Sequence, residues 1–129
     1  MEVQNKLKLF SYKNALISPR KAGLILPLIK KMSIDKALIN LKFNDKKASV
    51  LWAKLLKSVI GAYSNVDSKN LYVEEAYVGP ASTIKTGRVG SRSRFKRILK
   101  RRSNLYVKVF LKQEVVKPKK QKVLNTKKK

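Results

Sequence analysis

The sequence predicts an α+β fold: one strand, three helices, then two further strands. Apolar residues alternate with period two near the start and again beyond residue 70, and between these stretches they recur at three- and four-residue spacing. A 26-residue insertion, Gly79 to Asn104, separates the last two strands and poses the functional question.

The elements follow in order. In "KLKLFSYK" (6–13), Leu7, Leu9 and Ser11 share one face and Lys6, Lys8, Phe10 and Tyr12 the other, as in a short strand. In "ISPRKAGLILPLIKK", Ser18 suits an N-cap and Pro19 a first helical turn, where its missing N–H is not needed. Ala22, Ile25, Leu26 and Ile29 follow at helical spacing, and Pro27 predicts a bend or an early end. "SIDKALINLKF" repeats the pattern, with Ser33 as cap and Ile34, Ala37, Leu38 and Leu41 as the apolar stripe. In "NDKKASVLWAKLLKSVIGAYSN" either Asn44 or Asp45 is placed to cap. Ala48, Leu51, Trp52, Leu55, Val59 and Ala62 form the stripe there, and Lys46, Lys47, Lys54 and Lys57 lie mainly off it.

Ser64–Asn70 is a polar loop. "LYVEEAYV" (71–78) and "NLYVKVFLK" (104–112) are rich in strand formers. In the second, Leu105, Val107, Val109 and Leu111 share a face. Residues 112–129 hold eight lysines, one proline and no periodicity, the composition of a disordered basic tail. The expected organisation is therefore a single domain over 1–111, with 79–104 inserted in it, and a flexible tail over 112–129.

Composition narrows the function. The 129 residues, 43% of them hydrophobic, suffice for one packed core. A formal net charge of +25 calls for a polyanionic partner, with nucleic acid ahead of an anionic membrane surface. Cys and His are absent, which removes disulfides, thiolate chemistry, the usual zinc sites and the commonest general base. Glu74 and Glu75 are adjacent, and strand alternation points them to opposite faces. With no phosphate-binding glycine loop either, the expectation is no enzyme, no catalytic residue, no metal, no cofactor and no small-molecule substrate. No apolar run approaches a membrane span, and the first ten residues lack a signal-peptide core.

A structureless 26-residue loop is uncommon in a compact domain. If the flanking strands pair, the insertion continues them outward as a hairpin with its midpoint near Gly90-Ser91, and Gly87 and Gly90 supply residues that accept positive φ. Each arm would reach roughly 40 Å. Nine like charges and little apolar surface make such a ribbon unstable alone in water. Six of the seven arginines lie here: Arg88, Arg92, Arg94, Arg97, Arg101 and Arg102. Guanidinium offers a planar fork to phosphates and stacks on bases, whereas lysine is a point charge. Phe95 either stacks on an unpaired base or packs beneath an arginine stem. A helical alternative puts Phe95, Ile98 and Leu99 on one face of a basic amphipathic helix. An architectural DNA-binding protein with a basic β-arm in the minor groove is the competing function.

Several stretches resemble the universal large-subunit ribosomal protein L twenty-two family. "ISPRKAGLIL" looks like its Ser-Pro-Arg-Lys helix opening, and "SIDKALINLKFNDKKASVLWAKLLKSVIGA" is similar to its helical hairpin. "LYVEEAYV" resembles the strand before its extension and "RILKRRSNLYVKV" its return strand, at matching spacing. The resemblance covers about Tyr12 to Leu111. It implies three helices packed on a small three-stranded antiparallel sheet, with a long protruding β-hairpin. It further implies large-subunit ribosomal RNA and neighbouring ribosomal proteins as partners, in a bacterial cytoplasm or an organelle, with nascent peptide at the hairpin tip.

Carried over by position, Ser18, Pro19, Arg20 and Lys21 face RNA from the body. Lys85, Arg88, Arg92, Arg94, Phe95, Lys96, Arg97, Lys100, Arg101 and Arg102 face it from the hairpin, and Arg88, Val89, Gly90 and Ser91 make the tunnel-lining tip. The chain departs from the family at Gly23 and Pro27 in helix one, at the shifted Gly79-Pro80, and at Val89-Gly90, where the family has Pro-Arg.

Overall fold

The computed structural model describes residues 7–112; the expected basic tail beyond Lys112, like Lys6 of the first strand, lies outside them. The elements are β1 (Lys8–Ala15), α1 (Pro19–Gly23), a 3₁₀ turn (Leu26–Leu28), α2 (Ile34–Lys42), α3 (Lys47–Ala62), a second 3₁₀ turn (Ser68–Asn70), β2 (Leu71–Pro80), β3 (Ile84–Val89), a third such turn (Ser91–Ser93), β4 (Phe95–Lys100) and β5 (Ser103–Leu111). The architecture is α+β. A three-stranded antiparallel sheet runs in the order β1-β5-β2, and β3 and β4 form a separate two-stranded antiparallel sheet.

Strand β5 is central because its alternation is the cleanest. Leu105, Val107 and Val109 are buried toward the helices, and Tyr106, Lys108 and Phe110 point the other way. On β1 the helix-facing residues are Phe10 and Tyr12, which pack on the core, so Leu9 is left exposed on the outer side. On β2 the alternation breaks. The register shifts between Val73 and Glu75, and this bulge leaves both Glu74 and Glu75 exposed instead of on opposite faces. Residues 31–33 line the free edge of β2: Lys31 N–H donates to the Val73 carbonyl at 2.9 Å, and Val73 N–H donates to that of Met32 at 2.9 Å. The first part of that edge is thereby closed to other strands.

The three helices cover one face of the sheet. Helix α1 ends at Gly23, and the chain continues as the 3₁₀ turn containing Pro27, whose ring and missing N–H stop the α-helix early. Ala22, Ile25 and Ile29 are buried all the same. Ser18 and Ser33 occupy the N-cap positions with extended backbone, but neither side chain makes the capping bond. The N-cap of α3 is Lys46 rather than Asn44 or Asp45; the Asn44 Oδ1 accepts the Lys46 N–H at 3.0 Å. Trp52 is fully buried at the centre, and its indole N–H donates to the Ala22 carbonyl at 3.2 Å, tying α3 to α1. Leu56 and Ser49 join the buried side of α3, whereas Ala62, at its frayed end, is exposed. Burying an indole and the surrounding branched side chains contributes about 2–3 kcal/mol each on transfer scales, which is why the body folds around them.

Candidate nucleic-acid interface

The basic insertion adopts strands, not a helix. Register pairs Ile84 with Lys100, Lys85 with Leu99, Thr86 with Ile98, Gly87 with Arg97, Arg88 with Lys96 and Val89 with Phe95. Directly opposed residues share a face and successive residues alternate. One face therefore carries Ile84, Thr86, Arg88, Lys96, Ile98 and Lys100. The other carries Lys85, Gly87, Val89, Phe95, Arg97 and Leu99. The strand separates Ile98 from Phe95 and Leu99, so the amphipathic-helix alternative is overturned. No residue from Ile84 to Lys100 is buried.

The turn also differs from its sequence expectation. It runs from Gly90 to Arg94, with the Gly90 N–H donating to the Arg94 carbonyl at 2.6 Å. Positive φ falls on Arg92 (55°) and Ser93 (57°), and no glycine of the described chain has positive φ. The centre of the turn is thus Arg92, one to two residues beyond the expected midpoint. Gly87 has a different purpose. A Cβ there would fall inside the Phe95 ring, so this aromatic lies across the Gly87 backbone. The cross-strand diagonal makes that contact possible, and it shields main chain that a side chain would otherwise cover. Phe95 remains 71% exposed, with ring surface left over for a partner. Thr86 Oγ1 adds a bond to the Ile98 carbonyl at 3.3 Å.

The ribbon meets the body through a polar junction that the sequence reading missed. Pro80 still pairs with Ser103, and Ala81 N–H donates to the Arg102 carbonyl at 3.0 Å. Pairing resumes at Ile84 with Lys100, so three residues on the outgoing strand oppose two, Arg101 and Arg102, on the return. Beside this irregularity, the Asn14 N–H donates to Asn104 Oδ1 at 2.9 Å, Ser82 Oγ to Asn14 Oδ1 at 3.4 Å, and Asn104 Nδ2 to the Pro80 carbonyl at 3.5 Å. Asn14 sits at φ 56°, a conformation asparagine tolerates better than most residues. An asparagine at each of two strand ends was the available signal, but their meeting depends on register.

The remaining expected site residues divide by location. Ser18 and Pro19 are half-buried at the start of α1, while Arg20 and Lys21 are exposed there. They sit on the body and not on the ribbon. Arg88, Val89, Gly90 and Ser91 lie at the end of β3 and in the turn. Electrostatically the ribbon is uncompensated: residues 79–104 contain nine Lys or Arg and no carboxylate. Among the described residues the one ion pair is Lys108 with Glu75, 2.6 Å apart on the outer face of the body sheet. Its hydrogen bond and charge attraction hold the Glu75 carboxyl below its usual range and raise the Lys108 ammonium. That face also stacks Tyr77 on Tyr106, with ring centroids 4.9 Å apart, and Tyr72 on Phe110 at 5.9 Å. No described helix is long and apolar enough to cross a membrane.

The sequence is similar to known proteins. The family model for ribosomal protein L22p/L17e matches residues 10–110, a span that touches every element from β1 to β5. The chain is 43% identical over 96 residues to the large ribosomal subunit protein uL22 of Lactobacillus delbrueckii subsp. bulgaricus, covering 72% of this chain and 82% of that one. It is 36% identical to the uL22 of Clostridium beijerinckii (72% and 86% covered) and 42% identical to that of Orientia tsutsugamushi (72% and 83%). The chain belongs to the ribosomal protein L22p/L17e family, whose members are structural ribosomal proteins rather than enzymes.

Proposed function

We propose that this chain is a structural constituent of the large ribosomal subunit that binds its ribosomal RNA, with the β3–β4 ribbon threaded through RNA and its turn helping to line the nascent-peptide tunnel. The large-subunit assignment follows from family membership. The RNA reading rests above all on one observation: both faces of the ribbon carry positive charge and both carry exposed apolar side chains. A ribbon lying on a flat anionic surface would need one basic face. Two basic faces suit one surrounded by phosphates, with Arg88, Lys96 and Lys100 on one side and Lys85 and Arg97 on the other.

In this reading, residues 1–111 act as one unit with 79–104 as its arm. Arg20 and Lys21, with Ser18 and Pro19 presenting them, make the body contacts. Arg92 stands at the centre of the turn and Arg94 at its end, and Arg101 and Arg102 engage phosphates at the junction, where they oppose three residues of the outgoing strand. Phe95, anchored on Gly87 by one ring face, offers the other to an unpaired base. The tip, Arg88 to Ser91, meets the nascent peptide, and the eight lysines of 112–129 add diffuse neutralisation. Neighbouring ribosomal proteins complete the surroundings. The named relatives are bacterial, and a bacterial cytoplasm or an organelle derived from one is the setting.

The test is sedimentation. The chain is expected to travel with the large subunit and to leave it only on high salt or RNase treatment. Free sedimentation at low salt, in cells containing assembled subunits, would overturn the reading.

A further inference from the structure

We propose that the groove between α2 and α3 is a second RNA site, built to hold one unpaired nucleotide. It rests on the RNA-binding reading above but uses none of the ribbon residues. The groove is open on one side and offers about 490 Å³, against roughly 300–1,000 Å³ for small-ligand sites. Leu38 and Leu41 wall it from α2, and Val50 and Ala53 wall it from α3. In both helices these residues are three apart, so each pair lies on one face. On α3 that face is offset from the Leu51–Trp52–Leu55 stripe that packs into the body, which leaves Val50 58% exposed.

The rim is cationic. Lys42 extends the α2 face, Lys54 and Lys57 extend the α3 face, and no carboxylate lines the groove. This accounts for α3 lysines that the ribbon leaves unexplained. An apolar slot with ammonium groups at its mouth suits a flat base inside and backbone phosphates outside. Asn44 adds the polar element a base edge requires. Its Oδ1 is occupied by the Lys46 N–H, and its Nδ2 has no partner among the described residues, leaving two donors for ring or carbonyl acceptors. An acidic peptide would share the charge preference, but RNA is favoured because the chain already carries +25 into an RNA partner.

The experiment uses the full chain, NMR signals of Leu38, Leu41, Val50 and Ala53, and two probes: a decauridine single strand and a fully paired RNA duplex of equal length. The single strand is expected to shift the groove signals saturably, while the duplex, whose bases are not available, leaves them in place. Val50→Trp should plug the slot, abolish those shifts and weaken decauridine binding on the order of tenfold, consistent with loss of one stacked base. Ser58→Trp, exposed elsewhere on α3, should do neither. Equal groove shifts from both probes would reduce the site to phosphate attraction and overturn the proposal. So would groove signals that respond to an acidic Leu-Glu peptide but not to decauridine. If RNA binds but shifts only signals of 84–102, the groove proposal fails and the ribosomal reading stands. If neither RNA binds at low salt, the RNA reading itself fails.

Discussion

The body and the ribbon are made of the same chain by opposite means. The body buries Trp52, Leu56, Val59, Leu71, Val107 and their neighbours completely. Its charges sit outside that core, with Glu75 and Lys108 paired across the sheet. The ribbon buries nothing, holds no carboxylate, and relies on a two-strand ladder, one threonine bond and one aromatic ring over a glycine. The difference teaches where each conformation comes from. Hydrophobic burial fixes the body by itself. In the ribbon only the backbone pattern is internal, and neutralisation of its charge has to come from a partner.

The two regions should therefore fail independently. The largest effect belongs to the body core. Trp52→Ala removes the central side chain and its bond to the Ala22 carbonyl, and should cost about 3–5 kcal/mol in urea unfolding. The second belongs to the ribbon. Deleting residues 84–102 should lower affinity for large-subunit RNA by about a hundredfold at moderate salt and flatten the salt dependence by several units of slope, nine cations being lost. Thermal unfolding of the body should hardly move. Equal loss of body stability would break the contrast.

Smaller changes probe the joints. Gly87→Val displaces the Phe95 ring and should weaken RNA binding roughly tenfold, a steric cost of about 1–3 kcal/mol. Combined with Phe95→Ala, the two losses should fall short of adding, since the residues touch; full additivity would deny the contact. Asn104→Ala removes the acceptor for Asn14 and the donor to Pro80, worth about 1 kcal/mol each. It should broaden the distance between spin labels placed at residues 58 and 89 while leaving the core intact. The smallest effect is the pH response of Glu75. Its folded carboxyl titrates below its unfolded value, so its contribution is present above the unfolded pKa and fades as pH falls through the lowered one. Because the pair is exposed, Glu75→Gln should barely change a melting curve and should remove only this acid-side slope.

What was legible in the sequence follows the same division. Period-two alternation in Leu105, Val107 and Val109 and the helical spacing around Trp52 reflect burial, which composition displays directly. Pro27 ended α1 as its ring chemistry requires. The misreadings arose where geometry depends on partners distant in sequence. Glu74 and Glu75 both face out because of a bulge against β5, where the apolar phase slips from Leu71 and Val73 to Ala76. Gly87 read as a turn residue, yet it is a seat for Phe95, eight positions away across the ladder. Arg92 and Ser93 take the positive φ because the closing bond falls between Gly90 and Arg94. Asn14 and Asn104, ninety residues apart, meet only once β1 and β5 are in register.

The central claim is that the ribbon is enclosed on both faces. Hydroxyl-radical labelling, compared between the free chain and the intact large subunit, tests it most directly. Ile84 and Ile98 report one face, and Phe95 and Leu99 the other. All four are exposed in the free protein and should label readily. In the subunit both pairs should be protected. Protection of one pair with continued labelling of the other would place the ribbon on a surface instead of inside RNA, and would contradict the account.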